Sequence, residues 1–282
     1  LASGELSRLY NLLGWPGDPY TCEGRARYEG TIKEAEKIIN HEWFSATLKG
    51  KDSVKILDVC GGSGIAGAAL AKALREKGVK PEVIVIDLRE EALSVARKFI
   101  EEEIGVKPET LALDVTRMHD ANLNADLAVL WGLSTPHFSP WDLMKVVSGV
   151  ASNLVADGVL VIEEFDRHAG IFLANRYQYV MPELVSEDRV TVTVHEGRDP
   201  ITGYVSRVLV DLTSRETTRM KVYFWDIASV AAITWAFFKD VDFIPGKSSR
   251  HGYIIAKWPR ETLKPTDLGG EEPTLLKKRE RN

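Results

Sequence analysis

Residues 56–67 read ILDVCGGSGIAG, an apolar run that breaks into glycines and continues into small, helix-compatible residues. A chain gives up side chains at such a point where its backbone must turn tightly or approach a ligand closely. The stretch therefore predicts a strand, a loop facing a bound group, and a helix. Gly62-Ser63-Gly64-Ile65-Ala66-Gly67 also spells G-x-G-x-x-G, the pattern in which amides at a helix N-terminus hold a pyrophosphate. That match alone leaves the ligand open.

From Val54 onward the pattern alternates. Apolar runs at 54–59, 83–87, 111–115, 126–131 and 158–165 read as strands, and helical spacing follows at 65–77, 90–103 and from Pro140 to about Val155. Strict alternation implies a parallel, doubly wound sheet with right-handed crossovers. Runs at 241–244 and 252–258, joined through Pro245-Gly246, read as a closing hairpin. Three β-rich runs within 189–225 predict an antiparallel meander inserted in the domain, and Asp226 is placed to cap a final helix. Residues 1–50 read as an N-terminal helical cover, with a helix starting at a capping box of Thr31 and Glu34. The expected organisation is this cover, a main domain over 51–258, and a polar, mobile tail over 259–282.

With 282 residues, 44% of them hydrophobic, the chain can bury a substantial core. No run approaches the ~20 apolar residues of a membrane span, and the first residues lack the basic-then-apolar order of a signal peptide, so a cytoplasmic protein with no membrane partner is expected. Cys22 and Cys60 are the only cysteines, which argues against a disulfide framework or a thiolate zinc site. A net charge of −5 offers no general attraction to phosphate backbones, which weighs against nucleic acid as a partner.

Acidic residues decide what the glycines face. A dinucleotide site needs one acid at the end of the second strand, and Asp87 meets that need. The first strand, however, also carries Asp58, and the third ends in Asp114-Val115. The three acids stand 29 and 27 positions apart, one per strand–helix unit, and so reach the same carboxyl edge of the sheet. This order, with Asp58-Val59-Cys60-Gly61-Gly62-Ser63-Gly64 standing for D-x-G-x-G-x-G, resembles the class I S-adenosylmethionine-dependent methyltransferases over residues 54–165. Cys60 replaces the first glycine of that motif. The resemblance implies a seven-stranded Rossmann-like α/β sheet, five parallel units plus the antiparallel hairpin, and S-adenosyl-L-methionine as cofactor. It implies that the loop of Cys60, Gly61, Gly62 and Gly64, following Asp58, faces the methionine part of the cofactor. Asp87, with Leu88 beside it, would take the ribose hydroxyls, and Asp114 with the Val115 amide the adenine edge. Trp131 and Tyr28 complete the expected cofactor set, Tyr28 with Arg25 and Arg27 as a lid over the cofactor carboxylate.

Methyl transfer is an in-line displacement, so alignment and exclusion of water matter more than acid–base equipment. The acceptor is expected outside strands four and five, near His137 as a general base and Glu163 as an anchor for a substrate ammonium. A surface histidine and a salt-bridging glutamate are the plainer alternatives. No metal is expected, because strand four lacks a carboxylate to match the acids after strand five. Aromatic residues at 223–225 and 235–238 read mainly as core, with a roof over a cationic amine as the other use. The expected reaction methylates nitrogen or oxygen of a small-molecule acceptor. A protein or RNA methyltransferase and a nonenzymatic adenosine-nucleotide-binding module stand as alternatives, and the meander leaves a homo-oligomer interface open.

Overall fold

Three helices precede the first strand in the computed structural model, which describes residues 3–260, 265–269 and 273–277: α1 (Ser3–Leu13), α2 (Cys22–Ile39) and α3 (Glu42–Leu48). The expected cap of the second at Thr31 is wrong by ten residues. Thr21 is the N-cap, its hydroxyl accepting from the Gly24 amide at 3.1 Å, while Thr31 lies within the helix and bonds back to the Arg27 carbonyl. A threonine hydroxyl satisfied in this way sits in a helix interior without ending it.

The alternating units follow as β1 (Ser53–Val59), α4 (Ile65–Glu76), β2 (Lys80–Asp87), α5 (Glu90–Ile104), β3 (Glu109–Ala112), β4 (Ala125–Leu130), α6 (Pro140–Ser152) and β5 (Leu154–Phe165). After the insertion come α7 (Ile227–Phe237), β10 (Phe238–Pro245) and β11 (His251–Pro259). The main sheet has the order β10-β11-β5-β4-β1-β2-β3, with β1 to β5 parallel and β11 antiparallel to both neighbours. Its strand order reverses between β1 and β4. The crevice outside their carboxyl ends is where open α/β sheets bind ligands.

The central strands are buried on both faces, which explains why they read as continuous apolar runs rather than alternating ones. One face packs Ile38, Leu70, Phe99 and Ile100 of α2, α4 and α5, and the other packs Leu143 and Val147 of α6 with Trp225 and Phe237. Among the described residues no helix is long and apolar enough to cross a membrane.

The insertion forms its own sheet of four strands in sequence order, one more than expected: β6 (Val180–Val185), β7 (Val190–Arg198), β8 (Val205–Asp211) and β9 (Thr217–Val222). The overlooked strand carries Pro182, which an edge strand tolerates and a sequence reading discounts. Leu9 and Leu12 of α1 pack against Leu209 of β8, with Met220 beside them, so the N-terminal helix and the small sheet share a core. Of the stretch expected as a tail, Pro265–Gly269 forms a helical turn and Leu268 packs against the α6 side of the core; residues 261–264, 270–272 and 278–282 lie outside the described residues.

The loop after β1 explains its own composition. Gly64, the N-cap of α4, has φ +76°, in the left-handed region where a side chain costs energy. Cys60 has φ +56° and thus holds, with a side chain, the conformation that a glycine adopts freely. Replacing Cys60 by Gly is expected to preserve the thermal midpoint, whereas Cys60→Val, β-branched in a left-handed conformation, should lower stability by about 1–2 kcal/mol in urea titrations.

Candidate active site

The glycine loop is tied to two of the three acids. Asp58 is fully buried; its Oδ2 accepts from the Gly67 amide at 2.8 Å and its Oδ1 has no partner. Burial pushes its carboxyl up to about 7. A Cβ on Gly61 would lie 2.5 Å from Asp58 Cγ, so that position admits no side chain. Asp87, at the end of β2, accepts from the Gly62 amide at 2.8 Å through Oδ2 and from the Arg89 amide at 2.9 Å through Oδ1. The Arg89 guanidinium supplies two further contacts, Nε at 3.0 Å from Oδ1 and Nη2 at 3.4 Å from Oδ2. A carboxylate offers about four lone-pair sites, so two are taken by backbone and two by a movable side chain.

Asp114 stands two residues past the end of β3, not inside it. It caps a short 3₁₀ turn, Val115–Asp120, its Oδ1 accepting from the Thr116 amide at 3.0 Å and the Thr116 hydroxyl at 2.8 Å. Among the described residues its second oxygen has no hydrogen-bond partner.

A cavity of about 620 Å³ runs along this edge. Cys60, Asp87, Leu88, Asp114 and Val115 line one end, and His137, Phe138 and Tyr204 the other. The polar atoms of this first end and the apolar walls of Leu88, Leu113 and Val115 make a place for a flat, hydrogen-bonding ring system. Tyr10 of α1 covers the middle, with the Arg89 guanidinium 4.6 Å from its ring centroid.

His137 is buried within the loop after β4. The Tyr10 hydroxyl lies 2.7 Å from its Nε2, and its Nδ1 has no partner. Burial, with the Arg89 charge adding to it, lowers the imidazole pKa to about 4, so the ring is neutral near pH 7. The small sheet holds this loop: Tyr204 donates to the His137 carbonyl at 2.8 Å and accepts from the Ser139 amide at 2.8 Å, while the Tyr223 amide donates to Pro136 O. Trp225 donates through Nε1 to the carbonyls of Thr135 and Phe138, both at 3.1 Å.

Other expected residues lie elsewhere. Glu163 accepts from the Gly132 amide at 2.8 Å and pairs with His251 at 2.9 Å, which occupies its carboxylate in holding the turn after β4. Trp131 is buried with its ring 5.0 Å from that of Tyr253. Tyr28 packs in the core against Phe99, with ring centroids 4.9 Å apart, and does not line the cavity. Arg25 pairs with Glu103 at 2.7 Å. Its neighbour Arg27 turns inward: Cζ lies 4.8 Å from the Trp15 ring, Nη1 donates to Pro16 O, and a Cβ on Gly132 would meet Nη2 at 2.8 Å. Its charge faces Asp58 and Glu163 without pairing with either. The segment between α1 and α2 also closes on the glycine loop, since Ser63 Oγ donates to Gly17 O.

The acids and histidine at the end of β5 and just after it are each used locally. Glu164 pairs with Arg167, Asp166 caps Ala169 and His168 lies 3.5 Å from Asp226. Among the described residues, no three His, Cys, Asp or Glu side chains converge as a metal site. Of the aromatic residues considered as a roof, Trp225, Phe237 and Phe238 are core and Trp235 is exposed; none lines this cavity. Tyr10, Arg89 and Tyr204 were missed. Tyr204 directly follows the Gly203 turn signal, but only the tertiary fold brings it to His137.

Residues 56–158 match the family model described as a methyltransferase domain. No curated protein matches the chain in sequence. Solved structures are similar in fold. An S-adenosylmethionine-dependent methyltransferase from Clostridium acetobutylicum ATCC 824 is 15% identical, covers 91% of this chain and 99% of its own, and has a TM-score of 0.61. CalS10, an amino pentose methyltransferase from Micromonospora echinaspora determined with S-adenosylmethionine bound, is 18% identical over 84% of this chain and 95% of its own, with a TM-score of 0.53. The sugar N-methyltransferase KedS8 from Streptoalloteichus sp. is 15% identical over 83% of this chain and 88% of its own, with a TM-score of 0.55.

The chain has six histidines, and an ordinary one titrates near 6.5. The His137 resonances are expected to stay those of a neutral ring down to about pH 5 and to titrate near 4 in NMR. Because the unfolded chain takes up this proton from about 6.5 downward, the contribution of the neutral ring to stability is complete above that pH and is lost towards 4.

Proposed function

We propose that the chain is a class I S-adenosylmethionine-dependent methyltransferase that transfers the methyl group to a nitrogen or oxygen of a small-molecule acceptor, a reading supported by the methyltransferase-domain match over residues 56–158 and by the shared fold. The observation that carries this reading is the cavity itself, which joins the Asp87 and Asp114 end to the His137 and Tyr204 end at about 620 Å³, a size for small molecules.

The residues present fit the cofactor. The glycine loop leaves backbone where side chains would intrude, and among the described residues Asp58 and Asp114 keep oxygens without hydrogen-bond partners. Asp87 would receive the ribose hydroxyls at the two lone-pair sites now held by the Arg89 guanidinium, which must then move. Asp114 and the Val115 amide would hold the adenine edge. Arg27, an inward cation without a paired carboxylate, would hold the carboxylate of the methionine part. When bound, S-adenosylmethionine supplies an electrophilic methyl group on a sulfonium.

What the protein adds is placement. Tyr10 and Tyr204, from the N-terminal helix and the small sheet, cover the cavity and limit water at the acceptor end. The neutral His137 ring offers a hydrogen-bonding wall to an acceptor amine or hydroxyl. With its pKa lowered it is a weak base, which favours alignment over proton removal as its contribution. Glu163 acts through the turn it holds at Gly132.

Calorimetry is expected to give micromolar or tighter binding of S-adenosylmethionine and its demethylated product, with no comparable binding of NAD. Asp87→Ala should cost about 1.5–3 kcal/mol of that affinity. Arg89→Ala, which removes the competitor, should tighten binding about tenfold, or about 1.4 kcal/mol. Labelled methyl donor incubated with a metabolite extract should mark a small product. Tyr204→Phe should slow that turnover on the order of tenfold while leaving cofactor affinity unchanged, because it loosens only the acceptor side. Labelling confined to macromolecules, or no cofactor binding, would overturn the reading.

A further inference from the structure

A second cavity, about 360 Å³, lies between the π-helical turn His168–Ala174 and the hairpin of β7 and β8. The loop 134–138 and Tyr204 belong to the first cavity, while Gly203, Val205 and Tyr223 line this one, so the two are neighbours with a common wall. Three rings bound it in mutual contact. Phe172 stacks on Tyr177 with centroids 5.7 Å apart and an interplanar angle of 20°, and Phe224 meets both edgewise at 5.7 and 6.1 Å. Such a box takes a flat ring.

Among the described residues, Arg198 is the one fixed charge in its lining. His168, His195 and Arg198 line the cavity, and neither Asp nor Glu does. Behind His195 stands Arg207, a guanidinium 2% exposed that, among the described residues, bonds directly to no carboxylate. Its Nε donates to Thr193 Oγ1 at 2.9 Å and its Nη1 to the Tyr177 hydroxyl at 2.8 Å. The Tyr177 hydroxyl lies 2.6 Å from His195 Nδ1. The hydroxyl accepts from the guanidinium and can give its own proton to Nδ1, the arrangement in which the histidine proton stands on Nε2. His195 then offers Nε2 as a donor, with the buried Arg207 guanidinium behind it. The Arg198 guanidinium, at the exposed rim, makes no hydrogen bond or ion pair within the described residues.

We propose that this cavity is a binding site for a planar aromatic anion, an aryl carboxylate or aryl phosphate, with its ring among Phe172, Tyr177 and Phe224 and its charge on His195 Nε2 and Arg198. Aromatic walls alone would equally suit a cation. Here a cation would meet the Arg198 guanidinium and the His195 donor; the nearby Asp226 is outside the lining and engaged by His168 and Ser229, so electrostatic complementarity selects the anion. The anion has two sources, the far end of the methyl acceptor or a separate ligand. The site stands on its own geometry and does not depend on methyl transfer.

NMR titration of the full chain with 2-naphthoate, 2-naphthamide and 2-naphthylmethylammonium tests it. Naphthoate should bind at least about tenfold more tightly than the neutral amide, and the cation more weakly still. Arg198→Gln, at an exposed position that leaves the core untouched, should cut naphthoate affinity about tenfold with an unchanged melting temperature. His195→Ala should do the same, and neither change should alter binding of the demethylated cofactor. Equal affinity for naphthoate and naphthamide, or variants that bind naphthoate as the parent does, would overturn the proposal. In the labelled-methyl reaction, naphthoate that competes with the acceptor supports the first source, and naphthoate bound without inhibiting supports the second.

Discussion

The hydrogen bond from the Gly62 amide to Asp87 joins the loop after β1 to the end of β2, and the rest of the site is arranged around it. It requires the left-handed turn that begins at Cys60, and it sets the carboxylate at the rim of the cavity rather than in the sheet. Both strands are parallel neighbours in register from Ser53 with Lys80 to Val59 with Ile86. The buried sheet thus serves as a ruler. Loop conformation converts its regular spacing into one concave surface where Cys60, Asp87 and Asp114 meet.

The main sheet was legible because its strands are covered on both sides. Continuous apolar runs such as VIVID at 83–87 have one use, and the glycines, prolines and polar turns between them leave little freedom in topology. The small sheet was less legible for a related reason. Its strands are half exposed, and β6, with Pro182 and only partial burial, carries too weak a pattern to separate it from loop. The start of α2 was misread because Thr31 and Glu34 form a capping pattern inside a helix, while the true cap, Thr21, lacks an acid three residues later.

The acids at strand ends could be located by spacing, since one periodic rule governs them. Tyr10, Tyr204 and Arg27 obey no such rule. Each belongs to a segment outside the alternating units, and its position depends on how that segment docks. Tyr10 arrives because Leu9 and Leu12 of the same helix are buried against Leu209. Tyr204 arrives because the 134–139 loop offers a carbonyl and an amide to one hydroxyl. Glu163 shows the opposite case: its place at the end of β5 was legible, but its partners Gly132 and His251 were not.

Arg89 gives the cavity a resident counter-ion. A buried carboxylate facing solvent through a cavity would otherwise be a trap for any small cation able to enter, and Asp58 and Asp114 nearby would deepen it. With the guanidinium folded back onto Asp87 and braced under the Tyr10 ring, that carboxylate is already paired. Entry is then a matter of exchange rather than capture. A guest that uses Asp87 must displace a planar cation held at both carboxylate oxygens, so a stray cation meets a carboxylate that is already paired.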